Sequence, residues 1–298
     1  MANIKNTGIA EKLILTIALC VFLAVFALPQ ESRVIHEIQS KYQHITVQDT
    51  ANGYRQLIFD GNLGWTGAIQ SEMSLSDHYM LTLAYARYIM AALPLVEKSG
   101  RILILGLGGA SMQRYLHRLL PDAQIETAEL DPDILKIAAS HFFFIEDKRQ
   151  MVHLGDGRAF IENSKEKYDI IFLDAYSATS IPYALSTREF IMAAKEHLSP
   201  GGIVCANLWY TAPEYLDMLK TYSDVFPEIH LLDCIGSGNA ILMAYPQKTG
   251  LTTRSWVNKA REFEKNHPTG LNLPQLIERG VVSVLPDFSN AGVIRDRK

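Results

Sequence analysis

The chain has 298 residues and is 48% hydrophobic, which is enough for one sizeable domain with additions. Its formal net charge of −4 gives no basic surface for nucleic acid, so we predict no nucleic-acid partner. Three cysteines are too few for a disulfide framework.

The N-terminal region carries an uncharged apolar run at residues 13–28, preceded by Lys5 and Lys12. This run is short for a membrane span, which needs about 20 residues, and it resembles the apolar part of a signal peptide or signal anchor. A buried core helix is the alternative. We predict a single membrane anchor within residues 1–32 with the folded domain in the cytoplasm, or a secreted or periplasmic protein if the segment is cleaved.

Residues 33–75 are predicted to form a small domain of β-strands. Short alternating runs at 34–38, 44–47 and 55–59 are separated by turn-forming residues at 49–53 and 60–62. A helix is predicted over residues 76–95, at the start of a larger domain that extends to residue 248.

The larger domain begins with a buried strand at 102–105, followed by Gly106, Gly108 and Gly109. A helix with one apolar face is predicted over 112–120, and a strand over 124–130 contains Glu129. Strand, glycine turn, helix, strand and acid is the order that binds an adenosine. A tight turn without a ligand is the alternative. The GxGxxG spacing is not kept, which favours a ligand without a diphosphate.

Strands and helices alternate through the rest of this domain. Helices are predicted at 132–141 and 158–164, and at 186–198 from a capping box that starts at Ser186. Strands are predicted at 151–154, 168–173 and 203–208, with a final hairpin of 228–233 and 239–245. This pattern predicts a doubly wound parallel sheet. Residues 249–298 are predicted to be a peripheral extension with one helix at 255–266 and an irregular tail.

Three acids stand at the ends of predicted parallel strands, where ligands bind in such sheets: Glu129, Asp156 and Asp174. Each alone has the alternative of capping the next helix. Together they predict that Glu129 binds a ribose and that Asp156 accepts from an adenine amino group. Asp174 is then at the topological switch point, where chemistry takes place.

Several motifs in this order resemble the spermidine synthase (polyamine aminopropyltransferase) family. They are GLGGAS, AELDPDI, HLGDGRAF, YDIIFLDAYS and LSTREFIMAAKEHLSPGGIV, with SKYQHITV and LIFDGNLGWTG resembling the family's N-terminal β domain. The resemblance covers residues 40–245. It implies an α/β fold of the class I S-adenosylmethionine-dependent methyltransferase type, a Rossmann-like doubly wound sheet with a small N-terminal antiparallel β domain.

The resemblance also implies a function, an aminopropyl transfer from decarboxylated S-adenosylmethionine to a small-molecule amine. The histidines show no metal-binding spacing, so we predict no metal. Asp174 would orient and deprotonate the amine, near Ser177. We predict that Tyr176 contacts the same amine through its ring face, with packing as the alternative. Dimers through the β domain are implied as well. The residues implied to hold the thionucleoside are Gln43, Gly106, Gly108, Gly109, Glu129, Asp156 and Gly157.

Two positions depart from the family pattern. Gly109 stands where the glycine loop has an aspartate that binds the aminopropyl amine, and Ser177 replaces a second carboxylate near the acceptor. The first departure favours a methyltransferase that uses intact S-adenosylmethionine as the alternative. Both lost acids are also compatible with a catalytically silent nucleoside-binding protein tethered to a membrane.

Overall fold

A computed structural model describes residues 32–60, 68–176 and 181–297. Within these residues the chain forms an antiparallel sheet of four strands and a mixed sheet of seven strands, which confirms the predicted fold class. The strands are β1 (Arg33–Gln39), β2 (His44–Asp49), β3 (Tyr54–Asp60), β4 (Ala68–Ser74), β5 (Arg101–Leu105), β6 (Gln124–Glu129), β7 (Gln150–Leu154), β8 (Tyr168–Leu173), β9 (Leu198–Trp209), β10 (Glu228–Asp233) and β11 (Asn239–Tyr245).

Helices cover both faces of the large sheet. Two short 3-10 helices, Met90–Leu95 and Tyr183–Leu185, accompany the α-helices. The α-helices are α1 (Ala84–Ile89), α2 (Ser111–Leu119), α3 (Pro132–His141), α4 (Gly157–Asn163), α5 (Arg188–Glu196), α6 (Tyr215–Val225), α7 (Thr253–Asn266) and α8 (Leu273–Gly280).

The large sheet has the strand order β10-β11-β9-β8-β5-β6-β7, with β7 to β9 parallel to β5 and β6, and β11 antiparallel to both its neighbours. Alternate residues of β5 enter different core clusters: Ile102 and Ile104 pack on one face, and Leu103 and Leu105 on the other. A strand that is buried on both faces has no polar alternation, which explains its continuous apolar run. Since β5 lies between β6 and β8, the switch point is at these strands.

The small sheet has the order β1-β2-β3-β4 and packs its apolar face, including Ile45 and Leu57, against α3. Its fourth strand was not predicted. The sequence AIQSEMS in β4 is mainly polar, and its Ser71 hydroxyl accepts a hydrogen bond from the Gly109 amide of the large domain at 2.9 Å. Ser71 therefore faces the turn after β5, where an apolar side chain would leave the buried Gly109 amide without an acceptor.

The predicted helix over 76–95 is wrong in its first half. The Ser74 hydroxyl accepts from the amides of Ser76 and Asp77, both at 3.2 Å, and holds a turn there, so that α1 begins only at Ala84. The capping box predicted from Ser186 is also wrong. Thr187 is the N-cap of α5 and accepts from the Phe190 amide, while the Ser186 hydroxyl donates to the Tyr183 carbonyl.

The C-terminal region contributes more structure than predicted. Helix α8 lies where an irregular tail was expected, and α6 was not predicted at all. Trp256 of α7 and Ile277 of α8 are buried in the core cluster that contains Ile102. The Trp256 indole N–H donates to the Ala91 carbonyl at 2.9 Å, which attaches α7 to the 3-10 helix Met90–Leu95. The division of the chain into the four predicted segments stays a prediction.

The predicted membrane-anchored location is corrected by the structure. Across the described ranges 32–60, 68–176 and 181–297, none of the helices has the length and apolar character that crossing a bilayer requires. The apolar run at residues 13–28, on which the anchor prediction rested, lies outside the described residues.

We predict that Trp256→Phe lowers the free energy of unfolding by about 1–3 kcal/mol, because the Ala91 carbonyl loses its buried donor and a small void remains. Urea unfolding measures this change. Val284→Ala is the control, since Val284 is 84% exposed and its loss is expected to change stability by less than about 0.5 kcal/mol. Equal stability of the wild type and Trp256→Phe would contradict the role of this hydrogen bond.

Candidate active site

A cavity of about 490 Å³ opens at the carboxyl ends of the central parallel strands and is bounded on another side by the small sheet. Its size and partly apolar lining are those of small-molecule sites. Ser177 lies outside the described residues, and Gly109 lies behind the wall. The other predicted site residues all line this cavity: Gln43, Gly106, Gly108, Glu129, Asp156, Gly157, Asp174 and Tyr176.

The glycine turn after β5 is packed against the end of β8. Gly106 has φ +102°, and a Cβ at this position would lie 2.4 Å from the Asp174 carbonyl oxygen. Both the conformation and the close approach therefore require glycine. Beside it, the Leu107 amide donates to Glu129 Oε2 at 2.9 Å, so that the turn also fixes one carboxylate of the cavity.

Gly109 contacts the small sheet instead of the cavity. A Cβ here would lie 2.8 Å from the Cβ of Ser71 and 3.0 Å from the Phe142 ring. Behind the turn, the buried Arg114 guanidinium donates to the carbonyls of Gly109, Phe142 and His78. Burial lowers the pKa of Arg114 to about 10, which leaves it charged at neutral pH. A positive charge therefore lies directly behind the glycine turn.

Glu129 is held at the end of β6 by two backbone donors, the Asp131 amide on Oε1 at 2.8 Å and the Leu107 amide on Oε2 at 2.9 Å. Burial raises the pKa of this carboxyl, and the two amides oppose the rise. Each carboxylate oxygen has two lone pairs, so both can still accept from a ligand in the cavity. The geometry suits a pair of neighbouring hydroxyl donors such as those of a ribose.

Asp156 caps α4, because its Oδ1 accepts from the Ala159 amide at 2.8 Å. The capping alternative that the sequence left open is thus observed. The same side chain also lines the cavity beside Gly157. Since a carboxylate has about four acceptor positions, capping one helix does not prevent contact with a ligand.

Asp174 follows β8 and faces the cavity among neutral hydrogen-bonding groups. The Asn207 side-chain amide donates to its Oδ1 at 2.9 Å, and the Tyr85 hydroxyl is a second partner. Enclosure by the protein raises the pKa of Asp174 to about 7, and the bonds from Asn207 and Tyr85 limit the rise. A carboxyl with this pKa can accept and release a proton near neutral pH.

Sequence reasoning missed the partners of Asp174. Asn239 donates from its side chain to the Asn207 Oδ1 at 2.9 Å, which orients the Asn207 amide so that its N–H groups face Asp174. Both asparagines are buried polar residues in apolar strands, and that contrast is the signal that could have identified them.

The cavity wall beside Asp174 is aromatic and neutral. The Tyr176 ring stacks on Trp209 with centroids 4.8 Å apart, and the Tyr176 hydroxyl donates to the Asn207 carbonyl. Burial raises the pKa of Tyr176, so this side chain stays uncharged. The wall offers ring faces, which attract cations and apolar groups, rather than a second carboxylate.

Comparison with known proteins identifies the family. A spermine/spermidine synthase domain matches residues 83–235. A polyamine aminopropyltransferase of Vibrio vulnificus is 35% identical over 231 residues, covering 76% of each chain. The chain belongs to the spermine/spermidine synthase family.

Two further comparisons concern the fold and a methyltransferase. A probable spermidine synthase from Corynebacterium glutamicum has the same fold, with a TM-score of 0.68 at 17% identity over 89% of this chain and 98% of the other. The eEF1A lysine and N-terminal methyltransferase of Xenopus laevis is 30% identical over 163 residues, which cover 51% of this chain and 24% of that protein.

The spermine/spermidine synthase domain contains most of the cavity but not all of it. Tyr85, Glu129, Asp174 and Asn207 lie within the matched residues 83–235. Gln43, which directly precedes β2 of the small sheet, lies before them and reaches the same cavity. The site is therefore completed by a part of the chain outside the matched domain.

We predict that Gly106→Ala lowers the free energy of unfolding by at least about 2 kcal/mol more than Gly201→Ala does. Both glycines have positive φ, but a Cβ at Gly201 meets nothing within 4 Å, whereas one at Gly106 meets the Asp174 backbone. Urea unfolding of the two variants separates conformational strain from the clash. Equal losses would mean that the contact between β5 and β8 is not tight.

Proposed function

We propose that this protein transfers an aminopropyl group from decarboxylated S-adenosylmethionine to a small-molecule amine, with Asp174 as the base. The observation that carries the proposal is a carboxyl with a pKa near 7, facing a nucleoside-sized cavity at the switch point of the sheet. Membership of a family with named polyamine aminopropyltransferases supports the same reaction.

The thionucleoside is proposed to lie between the glycine turn and the start of α4. Glu129 accepts from the ribose hydroxyls, and Asp156 accepts from the adenine amino group. The nucleoside is contacted from the surrounding walls by Gln43, Gly106, Gly108 and Gly157. Gly109 does not face the cavity, and its amide holds the turn against Ser71. The apolar side chains of Leu107 and Ile134, which also line the cavity, suit the faces of an adenine.

The proposed reaction is a direct displacement at the carbon beside the sulfonium. Asp174 accepts a proton from the ammonium of the acceptor, which frees the nitrogen lone pair. The nitrogen then forms a bond to the methylene carbon as the carbon–sulfur bond breaks, and its electrons remain on sulfur. Alignment of nitrogen, carbon and sulfur supplies much of the rate increase, and Asn207 and Tyr85 hold the base for it.

The acceptor is proposed to bind between Asp174 and the aromatic wall of Tyr176 and Trp209. The ring faces attract an ammonium or an alkyl chain, and Ser177 is proposed to contact the same molecule. Since the described part of this wall has no carboxylate besides Asp174, a diamine is held by one charge and two rings. Dimerisation through the small sheet stays a prediction.

We predict that Asp174→Asn lowers turnover by about 10²–10⁴-fold while the dissociation constant for the donor stays near that of the wild type, because only the proton acceptor is lost. Product formation from a diamine panel, followed by mass spectrometry, and calorimetric titration of the donor measure the two effects. Asp169→Asn is the matched control, since Asp169 lies at the other end of β8 and accepts from the Gly100 and Arg101 amides.

The pH dependence supplies a second readout of the same role. Because Asp174 must be ionised to accept a proton, turnover of the wild type should rise with pH and level off above about 7. The residual rate of Asp174→Asn should not show this rise with pH. If turnover of the variant equals that of the wild type, or rises with pH in the same way, Asp174 is not the base.

A second candidate is methyl transfer from intact S-adenosylmethionine, and the glycine turn favours it. Gly109 supplies no carboxylate that would repel the donor's own carboxylate, and the Arg114 cation lies behind the turn. The eEF1A methyltransferase relative is compatible with this alternative. In a closed site, repulsion between a carboxylate on the turn and the carboxylate of intact S-adenosylmethionine would cost several kcal/mol. Its absence here removes that selection between the intact and the decarboxylated donor.

We predict that decarboxylated and intact S-adenosylmethionine bind with dissociation constants within about tenfold of each other. The double variant Ser71→Gly/Gly109→Asp should favour the decarboxylated form, because removing the Ser71 side chain relieves the closest contact of the new carboxylate. The Phe142 ring, 3.0 Å from a Cβ at position 109, then has to shift only slightly. Ser71→Gly alone is the control.

Calorimetric titration measures affinity, and mass spectrometry distinguishes an added aminopropyl from an added methyl group. A wild type that rejects the intact donor by more than about a hundredfold would contradict the importance of Gly109. Absence of binding by either donor would favour the third alternative, a catalytically silent protein.

A further inference from the structure

The last described part of the chain is held against helices α5 and α6. Residues 281–297 contain no helix or strand, yet four successive contacts fix the last described part. The Gly292 amide donates to Asp217 Oδ1 at 2.8 Å, and the Ile294 amide donates to the Thr221 hydroxyl at 2.9 Å. The Ile294 carbonyl accepts from the Arg188 amide at 2.7 Å, and the Asp296 amide donates to Glu189 at 2.9 Å.

Asp296 then forms a two-point ion pair with Arg158 in the first turn of α4. The guanidinium donates from Nη1 to Oδ1 and from Nη2 to Oδ2, both at 2.6 Å, and its Nε donates to Glu162 at 2.7 Å. Nη1 also reaches the hydroxyl of Thr187, the N-cap of α5, at 3.3 Å. Such paired, planar contacts fix orientation as well as distance.

The same tail contacts a second wall of the cavity. The Tyr183 hydroxyl donates to the Arg295 carbonyl at 2.6 Å, and the Arg297 guanidinium lies 4.5 Å from the centre of the Tyr183 ring. Tyr183 begins the 3-10 helix whose Ala184 and Leu185 line the cavity. Asp156 and Gly157, which immediately precede Arg158, line it as well.

We propose that residues 294–297 are a positioning strap, in which Asp296 and the Arg295 carbonyl hold the α4 turn and the 3-10 helix Tyr183–Leu185 at the spacing that binds the nucleoside. These two walls are distant in sequence, and the tail connects them from outside. Asp296, Arg158 and Tyr183 do not touch the nucleoside; they act through Asp156, Gly157 and Leu185. Walls that are already in place before binding lose less ordering entropy when the ligand enters.

The proposal rests on nucleoside binding in this cavity, so its test uses full-length protein and 5′-methylthioadenosine as the probe. Asp296→Asn should raise the dissociation constant of the probe by about three- to tenfold, because the ion pair is lost and one oxygen becomes a donor. Tyr183→Phe should raise it by a smaller factor. Asp296→Glu, which keeps the charge, should recover part of the affinity.

The control is Asp287→Asn, which changes an acid of the same tail whose side chain accepts from the Ser289 amide. It should bind the probe as the wild type does. In turnover assays, Asp296→Asn should raise the KM of the donor while kcat changes by less than about twofold, since Asp174 and its partners are untouched.

Hydrogen exchange supplies a readout that needs no ligand. Amides of residues 157–160 and 183–187 should exchange faster in Asp296→Asn, with β5 and β8 unchanged. Unchanged exchange and affinity, or equally faster exchange throughout the sheet, would overturn the strap. If the wild type binds no nucleoside, the proposed function fails, while faster exchange confined to these two segments would still support the strap.

Discussion

The contact between the turn after β5 and the end of β8 is the constraint on which the site depends. The absence of a side chain at Gly106 allows the Asp174 backbone to lie directly against the turn. The Asp174 amide donates to the Leu105 carbonyl at 3.0 Å, and the next residue of the turn donates to Glu129. One glycine thereby sets the spacing between the carboxylate proposed for the ribose and the carboxylate proposed as the base.

The surroundings of Asp174 also carry a thermodynamic cost. Its partners Asn207 and Tyr85 are neutral, so no cation compensates for the removal of bulk water. Between the ordinary Asp value of 3.8 and about 7, the folded chain keeps a proton that the unfolded chain has released. Stability from this group is therefore lost as the pH rises through that window. The site keeps this destabilising group where a titratable carboxyl near neutral pH is useful for proton transfer.

Local patterns in the sequence predict the central sheet well and the surrounding elements less well. The apolar strands, the glycine turn and the acids after β6, β7 and β8 follow from burial and from parallel-sheet geometry. Strand β4 and the C-terminal helix α8 depend on contacts between distant segments, which no local period encodes. The turn held by Ser74 is local, and there side-chain hydrogen bonds to the backbone compete with the helix that was predicted. The asparagines near Asp174 were missed because their hydrogen bonds form only when β9 and β11 pair, which brings Asn239 next to Asn207.

The hydrogen bond from the Gly109 amide to the Ser71 hydroxyl joins the two sheets behind the cavity. Positions 71 and 109 share one small volume, so a larger side chain at either requires a smaller one at the other. In a chimera that exchanges the N-terminal sheet between homologues, the residues at positions 71 and 109 must therefore be exchanged together. A domain swap that brought a larger residue to position 71 would displace the glycine turn, which lines the cavity through Gly106 and Gly108.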